Sequence, residues 1–225
     1  MRRTAYTWSA AGRSLIQSPS DIRYLPDWLR SIRSSHHFGP LARHLPYMPF
    51  SVIRRLQLFL TPDSRIFEYG SGGSTLWLCA RAQHVVSVEH DTEWHALVEG
   101  QLKRSGLANC TLCLHEPAQA GGSLQAQEEF GSMLVPGSFE SYVKAIDAVE
   151  DESLDLVIVD GRARAACALR ARPKIRHGGV LILDDSDRER YANAVAELDA
   201  WPRQDIFGIK PFTVPPSRTS WWTRP

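Results

Sequence analysis

Residues 67–79 read FEYGSGGSTLWLC. An apolar run closes on Glu68 and Tyr69, glycine fills three of the four positions 70–73, and Ser74 and Thr75 open a second apolar stretch. That order predicts a strand, a tight turn and a helix, with bare backbone at the turn for a ligand to lie against.

Outward from this stretch, a rhythm of short apolar runs and helix-period segments continues. The runs are RIFEY (65–69), HVVSVEH (84–90), CTLCLHE (110–116), LDLVIVD (154–160) and GVLILDD (179–185). Short, densely apolar runs of this kind are expected of parallel strands covered on both faces. Between them, residues 91–105 predict a helix capped by Asp91, with Trp94, Leu97, Val98 and Leu102 on one stripe, Lys103 and Arg104 in its last turn and Gly106 just past it. Ser186 and Glu189 read as a capping box for a helix carrying Tyr191, Val195, Leu198 and Trp201. Alternating strands and helices give a doubly wound α/β sheet.

Residues 51–225 hold this pattern, and residues 1–50 are expected to form a basic, helical N-terminal extension. Residues 117–150 exceed a plain connection, contain Gly121 and Gly122, and have room for one helix; such insertions form lids or substrate walls. The tail 206–225, with Pro211, Pro215 and Pro216 at its middle, reads as a closing β-hairpin across which Trp221 and Trp222 alternate.

The net charge of +1 conceals an asymmetry. Residues 1–60 carry nine Arg against Asp21 and Asp27, giving +7, so the remainder sums to −6. A basic front steers toward anionic partners, although solvated arginines are the commoner reason for one. The acid-free opening MRRTAYTWSAAGRSLIQS faintly resembles a transit peptide but lacks a clear amphipathic helix, so a cytoplasmic protein is expected. No stretch approaches the roughly 18 apolar residues of a spanning helix. Cys110 and Cys113 have C-x-x-C spacing without a second pair for zinc, and read as core residues on opposite faces of a strand.

In an open parallel sheet, the ligand crevice lies beyond the carboxyl ends of the strands. Here those ends are acidic: Glu68, Glu89, Asp160, Asp184 and Asp185. Glu89 follows Glu68 by 21 residues, where a second-strand acid meets the hydroxyls of a ribose. A nicotinamide-dinucleotide fingerprint fails, because Thr75 stands where its third glycine belongs.

The string Glu68-x-Gly70-x-Gly72-x-Ser74 resembles the acid-x-G-x-G-x-small motif of class I methyltransferases that use S-adenosylmethionine, and the resemblance extends over roughly residues 50–225. It implies a Rossmann-like, mostly parallel seven-stranded sheet ending in an antiparallel hairpin. It also implies that Gly70 and Gly72 let backbone approach the amino-acid end of the cofactor, that Ser71 and Ser74 offer hydroxyls, and that Glu89 holds the ribose. Glu68 would orient the turn or meet the methionyl ammonium, and His115 and Glu116 would fall near the adenine.

For the acceptor, DGRA at 160–163 stands where base N-methylating enzymes carry [N/D]-P-P-[Y/F/W]. Asp160 with Asp184 and Asp185 is similar to the metal triad of catechol-type and sugar O-methyltransferases, which implies Mg2+ gripping an acceptor hydroxyl beside a catalytic Asp160. Those sugar enzymes have a second acid where this chain has Arg162, so the base is unassigned, with His36, His37 and His44 as candidates. Arg162 and Arg164 would clamp an acidic group of the acceptor. The expectation is O-methylation of a small molecule or glycan, with no nucleic-acid signal and self-association left open. A metal-independent N- or protein methyltransferase and a non-catalytic cofactor-binding protein are the alternatives.

Overall fold

The computed structural model describes residues 19–33, 39–119, 137–212 and 216–225. The expectations for the chain's opening residues, for His36 and His37, and for Gly121 and Gly122 lie outside the described residues.

Seven strands form one sheet: β1 (Arg65–Tyr69), β2 (His84–Glu89), β3 (Cys110–Leu114), β4 (Leu154–Val159), β5 (Ile175–Asp184), β6 (Arg203–Gly208) and β7 (Ser217–Thr223). Their order is β3-β2-β1-β4-β5-β7-β6. The first five run parallel, and β7 lies antiparallel between β5 and β6. The chain winds outward in both directions from β1 and β4, so the crevice between their carboxyl ends is the switch point where such sheets bind ligands.

Alternation along the strands builds two cores. Phe67, Tyr69, Val157, Val159 and Trp222 face one side. Ile66, Leu156, Ile158 and Trp221 face the other. The two tryptophans therefore split across β7 as the sequence indicates. Cys110 and Cys113 pack against opposite cores as free thiols.

The described helices are α1 (Leu25–Arg33), α2 (Gly39–Arg43), α3 (Phe50–Phe59), α4 (Gly73–Cys79), α5 (Thr92–Arg104), α6 (Glu140–Lys144), α7 (Arg164–Ala171) and α8 (Ala192–Leu198). Helix α5 starts at its cap, with Asp91 Oδ1 accepting the Trp94 N–H at 2.8 Å, and ends with Lys103 and Arg104 in its last turn. The capping box at Ser186 does not form. Residues Glu189–Tyr191 make a 3₁₀ turn and α8 begins only at Ala192, because the Ser186 hydroxyl is engaged by Ser220 and Arg218 of the hairpin.

The N-terminal segment is tied to the hairpin rather than loose. Asp21 is buried and accepts the Ile209 N–H at 3.1 Å, and Trp28 packs on Ile209. Among the described residues no helix is long and apolar enough to cross a membrane.

Candidate functional site

The turn after β1 is braced from below by Glu68. The carboxylate is fully buried, and its Oε2 accepts hydroxyl protons from Thr75 at 2.5 Å and Ser87 at 2.6 Å. Thr75 Oγ1 in turn accepts the Gly72 N–H at 2.9 Å. Burial raises the Glu68 pKa against the pull of the hydroxyls of Ser74, Ser87 and Thr75. Of the two roles expected of Glu68, this geometry matches orientation of the turn, since the side chain does not line the cavity above it.

Each glycine of the turn answers a different constraint. Gly70 has φ 97°, and a Cβ there would stand 2.8 Å from the backbone of Gly161, in the loop after β4. At Gly73 a Cβ would lie 2.1 Å from the Pro40 carbonyl oxygen, so this glycine admits the N-terminal segment onto the site. The motif reading missed Gly73, although its place in the GSGG run was visible. A Cβ on Gly72 would meet nothing nearer than Trp94 Cζ2 at 3.9 Å and would project into open space.

That open space is a cavity of about 600 Å³ at the switch point. Its floor is Gly70–Ser74, and Glu89, His90 and Trp94 form one wall. Asp160, Gly161 and Arg162 form another, with Tyr47 and Phe212 at the side of the N-terminal segment. Trp94, on the stripe that the sequence turns toward the core, packs against that core and also lines the cavity, where it donates its indole N–H to the Ser71 carbonyl at 2.8 Å.

Glu89 closes β2 nearly buried, and both its oxygens are engaged. Oε2 accepts the backbone N–H of Ser71 at 3.1 Å and its hydroxyl at 2.8 Å. Oε1 accepts the N–H groups of His90 and Asp91 at 2.7 and 3.1 Å, with His90 Nδ1 also at 2.7 Å. Burial raises the Glu89 pKa, but the hydrogen bonds from His90, Asp91 and Ser71 outweigh it and hold the group below the ordinary value. Arg162 Nε donates to His90 Nε2 at 3.2 Å, which places the ring proton on Nδ1, facing Glu89. Glu89, His90 and Arg162 thus form a chain from the end of β2 to the loop after β4. The sequence reading passed over His90, whose only signal was its position directly after a strand-end acid.

The acidic cluster does not fit a metal ion. Arg164 pairs with Asp160 at 2.8 Å and approaches Asp185 at 3.6 Å. Lys210 reaches Asp185 at 3.3 Å and Asp184 at 3.8 Å, and Arg188 also pairs with Asp185. Asp184 additionally accepts the Thr219 hydroxyl at 2.5 Å. Three carboxylates therefore face three cations of the chain itself, and among the described residues no group of three or more His, Cys, Asp or Glu is arranged to hold an ion. At the expected Mg2+ site of Asp160, Asp184 and Asp185, the repulsion that would call for an ion is relieved by Arg164, Arg188 and Lys210. Burial and the neighbouring Asp160 push the Asp184 pKa up to about 7, against the pull of Lys210.

Arg164 is also not free to clamp an acceptor. Its three nitrogens donate to the carbonyls of Gly161, Asp184 and Asp160 at 3.0, 2.7 and 2.8 Å, tying together the ends of β4 and β5. Arg162, by contrast, lines the cavity. His115 and Glu116 do not line it: the His115 N–H continues the strand ladder to the Glu89 carbonyl, and Glu116 accepts from Thr92 at 2.6 Å. His44 also lies away from it, its ring 3.2 Å from Gln101.

Comparison with known proteins agrees with this architecture. A family model described as a methyltransferase domain matches residues 67–186. SMU.1697c from Streptococcus mutans, solved with SAH, superposes with a TM-score of 0.53 at 13% identity, covering 80% of this chain and 99% of that one. A methyltransferase-like protein from Silicibacter pomeroyi gives 0.52 at 24% identity, over 80% of this chain and 89% of that one. An rRNA methylase from Streptococcus thermophilus gives 0.53 at 13% identity, over 78% and 95%. At these identities the likeness is one of fold. Comparison with curated proteins gave no match. The family match spans more than half the chain and takes in the glycine turn, the strand-end acids and the loop after β4: the chain belongs to the methyltransferase domain family and is a class I S-adenosylmethionine-dependent methyltransferase.

Proposed function

We propose that S-adenosylmethionine occupies the cavity above the glycine turn and that its methyl group passes to a hydroxyl of a small molecule or sugar, without a metal ion. The observation that carries the reading is the bare glycine floor, in which Gly70 lets the turn close against Gly161 and Gly72 leaves the space above it open, facing Glu89 at the switch point. The residues fit the cofactor. The Gly70–Gly72 backbone takes the methionyl end, with the Ser71 and Ser74 hydroxyls beside it, while Glu89, held ionised, accepts from the ribose.

When bound, the cofactor supplies an electrophilic sulfonium methyl. The chain's residues position the acceptor oxygen and take its proton. Asp160 lines the cavity and is the proton acceptor in this reading, because burial raises its pKa against the pull of Arg164 and Lys210. Arg162 is held toward the cavity by His90 and orients the acceptor. Positioning of well-oriented reactants can supply on the order of 7–11 kcal/mol.

The test is transfer of labelled methyl from S-adenosylmethionine to hydroxylated and amino acceptors in the presence of a chelator. Methylated hydroxyl products support the proposal. Methylation of amines alone, or of nothing, contradicts it.

A further inference from the structure

A second cavity, of about 340 Å³, adjoins the first. Leu45 and Phe212 line both, forming a common wall. The rest of the second cavity comes from the N-terminal segment and α3: Tyr24, Arg30, Arg43, Phe50 and Arg54, with Asp27 as its one carboxylate among the described lining residues.

Two features distinguish it from an incidental groove. The first is its charge. Arg30 pairs with Asp27 at 2.8 Å, whereas neither Arg43 nor Arg54 has a carboxylate partner among the described residues; Arg54 reaches only the Gln57 side chain, at 3.4 Å. Two guanidinium forks with no carboxylate partner among the described residues thus border a concave space. The second is its wall. Phe212 has φ 65°, a conformation that bulky residues rarely adopt, and it is kept there by its N–H bond to Ser31 Oγ at 3.0 Å and by close packing over Gly39. A strained backbone at an aromatic residue that borders both cavities is the kind of feature that binding sites retain. Tyr24 and Phe50 stack with centroids 5.5 Å apart and planes within 16°, giving the second cavity a flat apolar surface beside its arginines.

From these observations we infer that the methyl acceptor is a small aromatic hydroxy compound bearing an oxyanion. Its hydroxyl lies in the cofactor cavity, its ring passes Leu45 and Phe212, and its carboxylate or phosphate is gripped by Arg43 and Arg54. Guanidinium groups bind such oxyanions through paired hydrogen bonds. The inference rests on the cofactor reading above and extends it to the acceptor. It also gives the basic N-terminal segment a function at the site.

The test uses the full chain saturated with S-adenosylhomocysteine, titrated calorimetrically with 4-hydroxybenzoate, 4-hydroxyphenyl phosphate and, as the uncharged control, phenol. At least one anion is expected to bind more tightly than phenol, and the two arms identify which oxyanion is preferred. In Arg43→Gln/Arg54→Gln, two exposed substitutions, that preference is expected to weaken by roughly tenfold or more. Phenol and S-adenosylhomocysteine are expected to bind this variant unchanged. The inference is overturned if both anions bind the variant as tightly as the unaltered chain, if neither exceeds phenol, or if a structured RNA binds more tightly than both and displaces them. Failure of the unaltered chain to bind S-adenosylhomocysteine would instead strike the cofactor reading beneath it, a separate and recognisable result.

Discussion

Ser71 donates both its backbone N–H and its hydroxyl to the same oxygen of Glu89, at 3.1 and 2.8 Å. This pair of hydrogen bonds between turn and strand end fixes the glycine floor relative to the wall of the cavity. Together with His90 and Asp91 it also holds Glu89 ionised. Because the folded pKa lies below the ordinary 4.5, the contribution to stability is fully present above the unfolded value and is lost as pH falls through the folded one. The stability advantage of the native chain over Glu89→Gln, measured by urea unfolding, should therefore shrink on acidification below about pH 4.5. An advantage that stays constant from neutral to strongly acid pH would refute this.

Gly161 and Tyr142 give a packing test. A Cβ on Gly161 would lie 1.9 Å from the Tyr142 hydroxyl oxygen and 3.0 Å from the Gly70 nitrogen. Gly161→Ala is expected to lose about 1–3 kcal/mol through overpacking. Adding Tyr142→Phe removes the closest clashing atom and should recover part of that loss, a coupling that a double-mutant cycle reads directly. A double variant no more stable than Gly161→Ala would locate the strain elsewhere.

The two arginines after β4 should separate by experiment. Arg164→Ala leaves three strand-end carbonyls without these donors and Asp160 without its partner, at a cost of about 3–5 kcal/mol as for a broken buried pair. Arg162→Ala removes a side chain that lines the cavity, so it should spare stability and lower methyl transfer. Equal losses of stability in denaturant titrations would overturn the distinction.

Much of this architecture was legible because it is local. RIFEY and LDLVIVD are covered on both faces, so their apolar runs mark β1 and β4 closely. Helix α5 was legible from Asp91 and Gly106, whose effects act within a turn. What stayed hidden depends on residues distant in sequence. The Ser186 cap lost to hydrogen bonds with Arg218 and Ser220, more than 30 residues on. The acidic trio resembled a metal site because Lys210, 25 residues beyond Asp185, is brought to it only when the hairpin returns. Arg164 looked available for a substrate because nothing local announces that its donors close the ends of two strands.

That replacement of an ion by Lys210 and Arg164 predicts metal independence. Methyl transfer should persist after exhaustive chelation, and added Mg2+ should not raise it. Activity abolished by chelation and restored by Mg2+ would contradict the pairing seen at Asp160, Asp184 and Asp185.

The most direct test of the central claim is calorimetric titration of S-adenosylhomocysteine into the native chain and into Glu89→Gln, with folding of both verified. The native chain should bind, and the variant should bind more weakly by about 1.5–3 kcal/mol, the range for hydrogen bonds to a charged group. Equal affinity in the two proteins, or no binding to the native chain at millimolar ligand, would show that the nucleoside does not lie between the glycine turn and the end of β2.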